Sequence, residues 1–597
     1  MKTEDRKNKA TEIGSFYIGV LLAICAVVAG YVVLSTLAWQ SRNLIPVPWY
    51  DDMYDHVRMH NAMTDFRTFM AYMISPHNEH RIFTTRLVSL IDERFFTGRE
   101  FSQVLTTNLL QILGGVVSWV VFLRSGLFEN RYLRLSLLSL ILLFFINPNF
   151  LYTLFVPFQL QFAVMTFICV VTAFVMSNAS AKEGPEPAKL IAALLALAFV
   201  GTFTLGNSPI VFIAAAATSI VLRWKRSTTV TLAVLAIIHT AIMLAITPTT
   251  GERSHNVLEI LKFSLMYIGG PFIRADPWPG NFVTWGDSPH TATVCGIILF
   301  VGAVGFAIAR LIRPGLGGRL AVFGFVLLVI VIGTSFAGGL ARAQYGIVSG
   351  ALTKKYASFA ALAWLGFYAV VAGVLFQANK SRRQYVPASM LAAFGVMLSF
   401  TLLTLDREEQ LWKKSRDTAW EAALVGFIQI NDQGELRQMD VNEKEAAEYM
   451  EYAKRHNLGV FAYFPFRIGD DASAFFATRT ETACRSEVQR VTAMTGQSTR
   501  YFDVAGAPAI ISGWAWMTDE RKPATTVIAV DSTNHIVGAA RSTRKSGRAE
   551  EWIGQSFDQN LGWYGYARPM VWDGIKFYAL TSSGKQFCPM GSLGSVR

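Results

Sequence analysis

Charge is scarce in this chain: Asp, Glu, Lys and Arg make up 16% of its 597 residues, while 52% are apolar. A soluble chain of this size would show several amphipathic domains. Here the apolar residues run on without interruption, in stretches long enough to span about 30 Å of hydrocarbon as helices. Ten-residue segments of alternating polarity are lacking, which excludes a membrane β-barrel. Backbone polar groups in lipid must bond within their own segment, so the apolar runs are helices. Cysteine is scarce as well, five in all, with no Cys-x-x-Cys and no Cys/His spacing suited to a metal. No internal repeat and no low-complexity linker appears.

Eleven apolar runs are read as spans, near 17–38, 103–123, 133–148, 160–177, 188–204, 208–223, 229–247, 292–312, 319–338, 357–377 and 386–405. The runs 133–148 and 188–204 are short. The stretch 256–273 contains Lys262 and Gly269-Gly270-Pro271 and reads as an amphipathic or re-entrant piece. Short loops with Arg124, Arg131 and Arg134, with Arg223, Lys225 and Arg226, with Arg310, Arg313 and Arg319, and with Lys380, Arg382 and Arg383 share one side with the basic start of the chain. The positive-inside rule makes that side cytoplasmic. An odd number of spans then leaves the C-terminal region outside, in a bacterial inner (plasma) membrane. The net charge of +12 is dispersed over these membrane-flanking loops, so it is no nucleic-acid footprint.

The expected fold class is a multi-pass α-helical membrane protein with a C-terminal extracytoplasmic α+β region. Residues 1–16 form a basic cytoplasmic tail. Residues 17–405 form the transmembrane module, with a first outside loop at 39–102. Residues 406–483 read as a helical connector, in which "VNEKEAAEYMEYAKRHNLG" stops at Gly459 as a C-cap. Residues 484–597 read as a small β-sandwich with hairpin turns at "DSTN" and "SSGK". Cys25, Cys169 and Cys295 fall in spans; Cys484 and Cys588 share the exported region and are expected to form a disulfide. Trp514, Trp516, Trp563, Tyr564 and Tyr566 suit a carbohydrate platform but read first as core.

The first outside loop carries the chemistry. "IPVPWYDDMYDHV" places Asp51, Asp52 and Asp55 a few residues beyond the first span. Pro48 suits a helix start, and at helical spacing Asp55 shares a face with both other aspartates. The bland reading is that acidic residues in a first turn favour the helix dipole. Against it stands the length of the loop, since long connections tend to be functional. The loop also carries "SPHNEHRIFTTRLVSLIDERFF", where His77, Glu79, His80 and Arg81 precede a helix with apolar Ile82, Leu87, Leu90 and Ile91 among Arg81, Arg86 and Arg94. That pattern suits a helix lying in the membrane interface.

With "WYDDMYD" directly after the first span and "PHNEHR" leading into a surface helix, the chain resembles the type C glycosyltransferases (the GT-C superfamily), in topology over residues 1–405 and in the motifs of this loop. The resemblance implies sugar transfer from a polyprenyl-phosphate donor to a glycan or lipid-linked acceptor on the outer face. Asp51 or Asp52 would be the base that takes the acceptor's hydroxyl proton, with inversion at the anomeric carbon. Asp55 and Glu79 are secondary candidates. A lipid phosphate leaving group calls for cations, offered by His80 with Arg81 and by Arg342, Lys354 and Lys355 beside Tyr356 in "AGGLARAQYGIVSGALTKKYASF". Headgroup snorkelling is the plainer reading of those basic residues. Arg274 lies in a third polar group, "YIGGPFIRADPWPGNFVTWGD", and Gln159 and Gln161 sit at the outer end of a span. No cofactor is required on this reading and no metal ligand is assigned, although a divalent ion is compatible with it. A flippase for lipid-linked sugars would need ionisable residues at mid-membrane and inverted repeats, which are lacking. A non-catalytic glycan-binding assembly protein would leave Asp51 and Asp52 dispensable. An oligosaccharide ligase would rely on arginine and histidine rather than an Asp pair.

Overall fold

The protein is described from a computed structural model. It describes all residues except 1, 46, 49–50, 79, 128–130, 181–185, 247–253, 272–287, 378–384, 440–441, 495–500, 503–504, 554–559 and 593–597. Glu79 and Arg274 therefore lie outside the described residues, as does most of the third polar group, and Asp51 is placed in a helix without its side chain being described.

Among the described residues, eight helices are long and apolar enough to cross a membrane: Tyr17–Arg42, Phe101–Arg124, Pro157–Ala179, Arg226–Ile246, Pro289–Ile312, Gly318–Tyr345, Lys354–Gln377 and Ala388–Ile428. The other three expected spans appear as shorter apolar helices, Leu133–Leu142, Pro187–Thr202 and Ile210–Val221. The stretch near 256–273 forms the helix Val257–Gly269, capped by the Asn256 side chain, which accepts from the Leu258 and Glu259 N–H groups. No break in helix marks the expected boundary at residue 405, although the compact units divide nearby, at 409/410. The last apolar run continues as one helix, Tyr385–Ile428, because "DREEQLWKKSRDTAWEAAL" keeps good helix formers throughout and has neither Gly nor Pro.

The chain divides into two compact units. The first contains residues 1–42, 70–87 and 103–409; the second contains 43–69, 88–102 and 410–597. Parts of the first loop thus fold with the C-terminal region, a partition that local sequence does not announce. The core of the helical unit is aromatic and aliphatic, with Phe145, Phe150, Phe212, Phe323 and Phe359 fully buried. Helices Gly318–Arg342 and Ala357–Gln377 meet backbone to backbone: a Cβ on Gly366 would stand 2.6 Å from the Gly324 carbonyl oxygen. Such close crossings are how helices pack where lipid supplies no hydrophobic drive. Gly366→Val is expected to destabilise the bundle by about 1–3 kcal/mol. The check is the melting temperature in detergent, and no change would show that the crossing is not as close as described.

In the second unit the β-rich end is one mixed sheet rather than two facing sheets. Its strands are β1 (Thr480–Glu481), β2 (Cys484–Ala493), β3 (Ala509–Met517), β4 (Lys522–Pro523), β5 (Thr526–Val530), β6 (Ile536–Arg544), β7 (Gly562–Ala567), β8 (Lys576–Leu580) and β9 (Gln586–Ser592). They run in the order β1-β9-β8-β5-β6-β7-β3-β2, with β4 on β3. The sandwich expectation fails because strands β2, β6 and β9 carry bulges and the sheet curls until β2 and β9 meet. The Cys484–Cys588 disulfide joins those two strands. The expected hairpins link β5 to β6 and β8 to β9. Trp514, Trp563, Tyr564 and Tyr566 are buried and Trp516 is half-buried, so these rings belong to the core rather than to a surface platform.

A buried acid–imidazole cluster in the first loop

Four helices open the chain: α1 (Lys2–Arg42), α2 (Asp51–Ala62), α3 (Phe66–Met73) and α4 (Phe83–Phe96). Helix α2 starts three residues beyond Pro48 and places Asp52 in its first turn and His56 one turn on, on the same face. Both are buried, Asp52 at 1% and His56 at 2% exposure. The second half of α4 supplies Asp92 and Glu93, and the turn after it supplies Glu100.

That turn is tightly built. Thr97, Gly98 and Glu100 have φ of 60°, 64° and 62°, the left-handed region that costs a residue with a side chain about 1–2 kcal/mol. Asp92, fully buried, holds it: Oδ2 accepts from the Glu100 N–H at 2.7 Å, and Oδ1 accepts from the Ser102 N–H at 2.6 Å and the Ser102 hydroxyl at 2.7 Å. The effect is to fold Glu100 back onto His56.

The imidazole is held between carboxylates. Nδ1 of His56 bonds Oε1 of Glu93, and Nε2 lies 3.3 Å from Oε1 of Glu100 and 3.8 Å from Oδ1 of Asp52. Glu93 in turn accepts from the Tyr452 hydroxyl at 3.1 Å. Tyr452 belongs to the helix Glu443–His456, which covers the cluster together with Tyr449, whose ring centroid is 6.0 Å from that of His56. That helix ends on Asn457 in the left-handed conformation, φ 53°, instead of on the expected Gly459; Asn tolerates this region and takes the cap two residues earlier.

Burial sets the electrostatics. It pushes Asp52 up to about 6, the His56 charge partly offsetting and Asp55 reinforcing it. It raises Glu100 well above the usual carboxylate range, with the Asp52 charge adding to the effect. Burial alone would lower His56, but Glu100 and Glu93 outweigh it and raise the ring's proton affinity well above that of a free imidazole. Asp52, His56 and Glu100 each bring one donor atom within 4.8 Å of the others, the one such metal-capable group among the described residues.

Of the residues expected at the site, Asp52 and Asp55 are in this unit and buried. His80, Arg81, Arg342, Lys354, Lys355 and Tyr356 belong to the other unit. There, His80 Nδ1 accepts from the Gly206 N–H at 3.1 Å, and Arg81 donates to the Ile74 and Ile246 carbonyls, the latter at 2.9 Å. Arg86, expected at lipid headgroups, is instead buried and donates to the Tyr72 and Ser75 carbonyls at 2.7 and 2.8 Å. Arg342 ends its helix, half-buried. Lys355 lies 5.2 Å from the Tyr356 ring centroid, and Tyr356 packs on Phe162 and Tyr267. The apolar face of α4 does reach the surface, at Leu87, Ile91 and Phe95.

Lys354 is buried and paired with Glu408 at 2.7 Å. Its charge already has a partner. Lys354→Met is expected to destabilise by about 3–5 kcal/mol by leaving Glu408 unpaired in a dry site, and Lys354→Met with Glu408→Leu to recover most of it. Thermal melts of the two variants check this. No recovery in the double variant would mean that Lys354 serves something other than Glu408.

His56, Glu93 and Glu100 were not singled out from sequence. The sequence carries signals for two of them: His56 one turn after Asp52, and the Asp92-Glu93 pair inside an amphipathic helix. Comparison of the chain with protein-family models, with curated proteins and with solved structures finds no match in any of the three.

Proposed function

We propose that the chain is an integral-membrane glycosyltransferase of the GT-C type. It moves a sugar from a polyprenyl-phosphate donor to a cell-envelope glycan or lipid acceptor on the extracytoplasmic face of a bacterial inner membrane. All eleven apolar helices take part in the bundle on this reading, the N-terminus is cytoplasmic, and the second unit is periplasmic. The observation that carries the reading is Asp52: a carboxylate in the first helical turn after the first membrane helix, beside a second carboxylate, with its proton affinity raised to about 6. A base in that range is ionised at neutral pH and still takes a proton. Asp52 removes the acceptor's hydroxyl proton as the oxygen attacks the anomeric carbon, and the lipid phosphate leaves from the opposite face. His56 and Glu93 position it. Because the cluster is closed, the helix Glu443–His456 has to move for an acceptor to reach Asp52.

The same closure favours a second reading, in which the cluster ties that helix to the first loop in a non-catalytic glycan-binding assembly protein. Sugar transfer by the purified full chain, from a panel of polyprenyl-phosphate sugars, separates the two. Turnover supports the transferase; none with any donor, alongside glycan binding, supports the assembly protein.

A further inference from the structure

We infer that Asp52, His56 and Glu100 form a binding site for one divalent transition-metal cation, Mn2+ or Zn2+ in class. This goes beyond the transfer reading and does not rest on it.

The donor geometry is the first argument. The three donor atoms, all within 4.8 Å of one another, are near the separations of roughly 3–4 Å that ligands adopt around one ion at bond lengths of about 2 Å. Two are carboxylate oxygens and one is an imidazole nitrogen. Ca2+ and Mg2+ take oxygen sets, while a mixed set of this kind suits Mn2+ or Zn2+.

The second argument is the orientation of the imidazole. His56 Nε2 is buried, aimed at the two carboxylates, and off hydrogen-bond alignment with any partner. Its other nitrogen is anchored by Glu93, itself anchored by the Tyr452 hydroxyl. A carboxylate on one imidazole nitrogen, with the other nitrogen facing a group of donors, is the arrangement that orients histidine on a metal.

Charge is the third. The Asp52 and Glu100 carboxylates sit together out of water, where like charges cannot both stay ionised without compensation. A divalent cation supplies it by meeting both carboxylates at once. The strained turn at Glu100, held by Asp92, is structure built to bring that carboxylate here.

The test uses the full chain in detergent, stripped with chelator and titrated with Mn2+, followed by electron paramagnetic resonance. The expected result is one Mn2+ per chain with a nitrogen-14 coupling from a single imidazole. His56→Gln is expected to remove that coupling, Glu93→Gln to weaken binding by roughly 10–100-fold, and Asp65→Asn, on an exposed aspartate, to change nothing. Absence of stoichiometric Mn2+, or bound Mn2+ without nitrogen coupling in the wild type, overturns the proposal. The wild-type spectrum decides the matter by itself should a variant fail to fold. Because the readout is binding, a chain that binds Mn2+ but transfers no sugar would sink the transferase reading and leave this one standing.

Discussion

Asp52→Asn is expected to lower sugar transfer by roughly 10²–10⁴-fold, the share of a rate that a positioned general base contributes. The substitution is nearly isosteric and removes only the ability to accept a proton. It is not expected to destabilise the fold in chelator at pH 8. The sign follows from the environment: burial raises Asp52 from 3.8 to about 6, so its contribution to stability is present below the unfolded value and is lost as pH rises through about 6. At pH 8 the wild type holds an ionised buried carboxylate, which asparagine lacks. The measurement pairs initial rates with thermal melts for wild type and variant. Unchanged transfer with an intact melt would return Asp52 to a helix-capping role; lost transfer with a collapsed melt would leave the base unassigned. The cleaner comparison is Asp65→Asn, an exposed carboxylate on the same loop, which should keep full activity.

Loss of the disulfide is expected to be the largest stability effect in the second unit. Cys484 and Cys588 enclose a separation of 104 residues. Cross-linking a loop of about 100 residues removes roughly 4.7 kcal/mol of unfolded-chain entropy. The bond also pins β2 to β9, the strands whose meeting closes the curled sheet. Cys484→Ser should therefore lower the melting temperature of the second unit sharply, with the first unit's transition unmoved, and reducing agent should reproduce the shift in the wild type. A melt that ignores both treatments would show that the strand ladder alone holds the sheet closed. A domain of this kind in an oxidising compartment is where such a bond persists.

Much of the fold was legible because its signals are local. Continuous apolar runs announce membrane helices through length alone, and eight of the expected runs form helices of spanning length. The runs at 133–148, 188–204 and 208–223 form helices too, but shorter ones, because Asn147-Pro148 and the polar loop around Asn207 end them early. The hairpins of the β region were marked by turn residues, and the disulfide by the count of exported cysteines. The sandwich expectation fails for a reason that sequence periodicity does not carry: strands alternate inward and outward side chains alike in two facing sheets and in one curled sheet, and which strands pair decides between them.

The site divides along the same line. Sequence by itself determined that this is a chain of membrane helices with an acidic first loop, because hydrophobic length, helical spacing and loop charge act over a few turns. It placed Asp52 on a helix, on one face with Asp55. Only the tertiary structure decided that Asp52 meets His56, Glu93 and Glu100 in a closed cluster. It also decided that the cover is a helix some 350 residues later in the chain, bonded through Tyr452 to Glu93 across a separation of 359. Contacts of that kind depend on burial and on a strained turn at Glu100. Neither leaves a periodic trace, since desolvation is a property of what packs around a carboxylate and not of its neighbours in sequence.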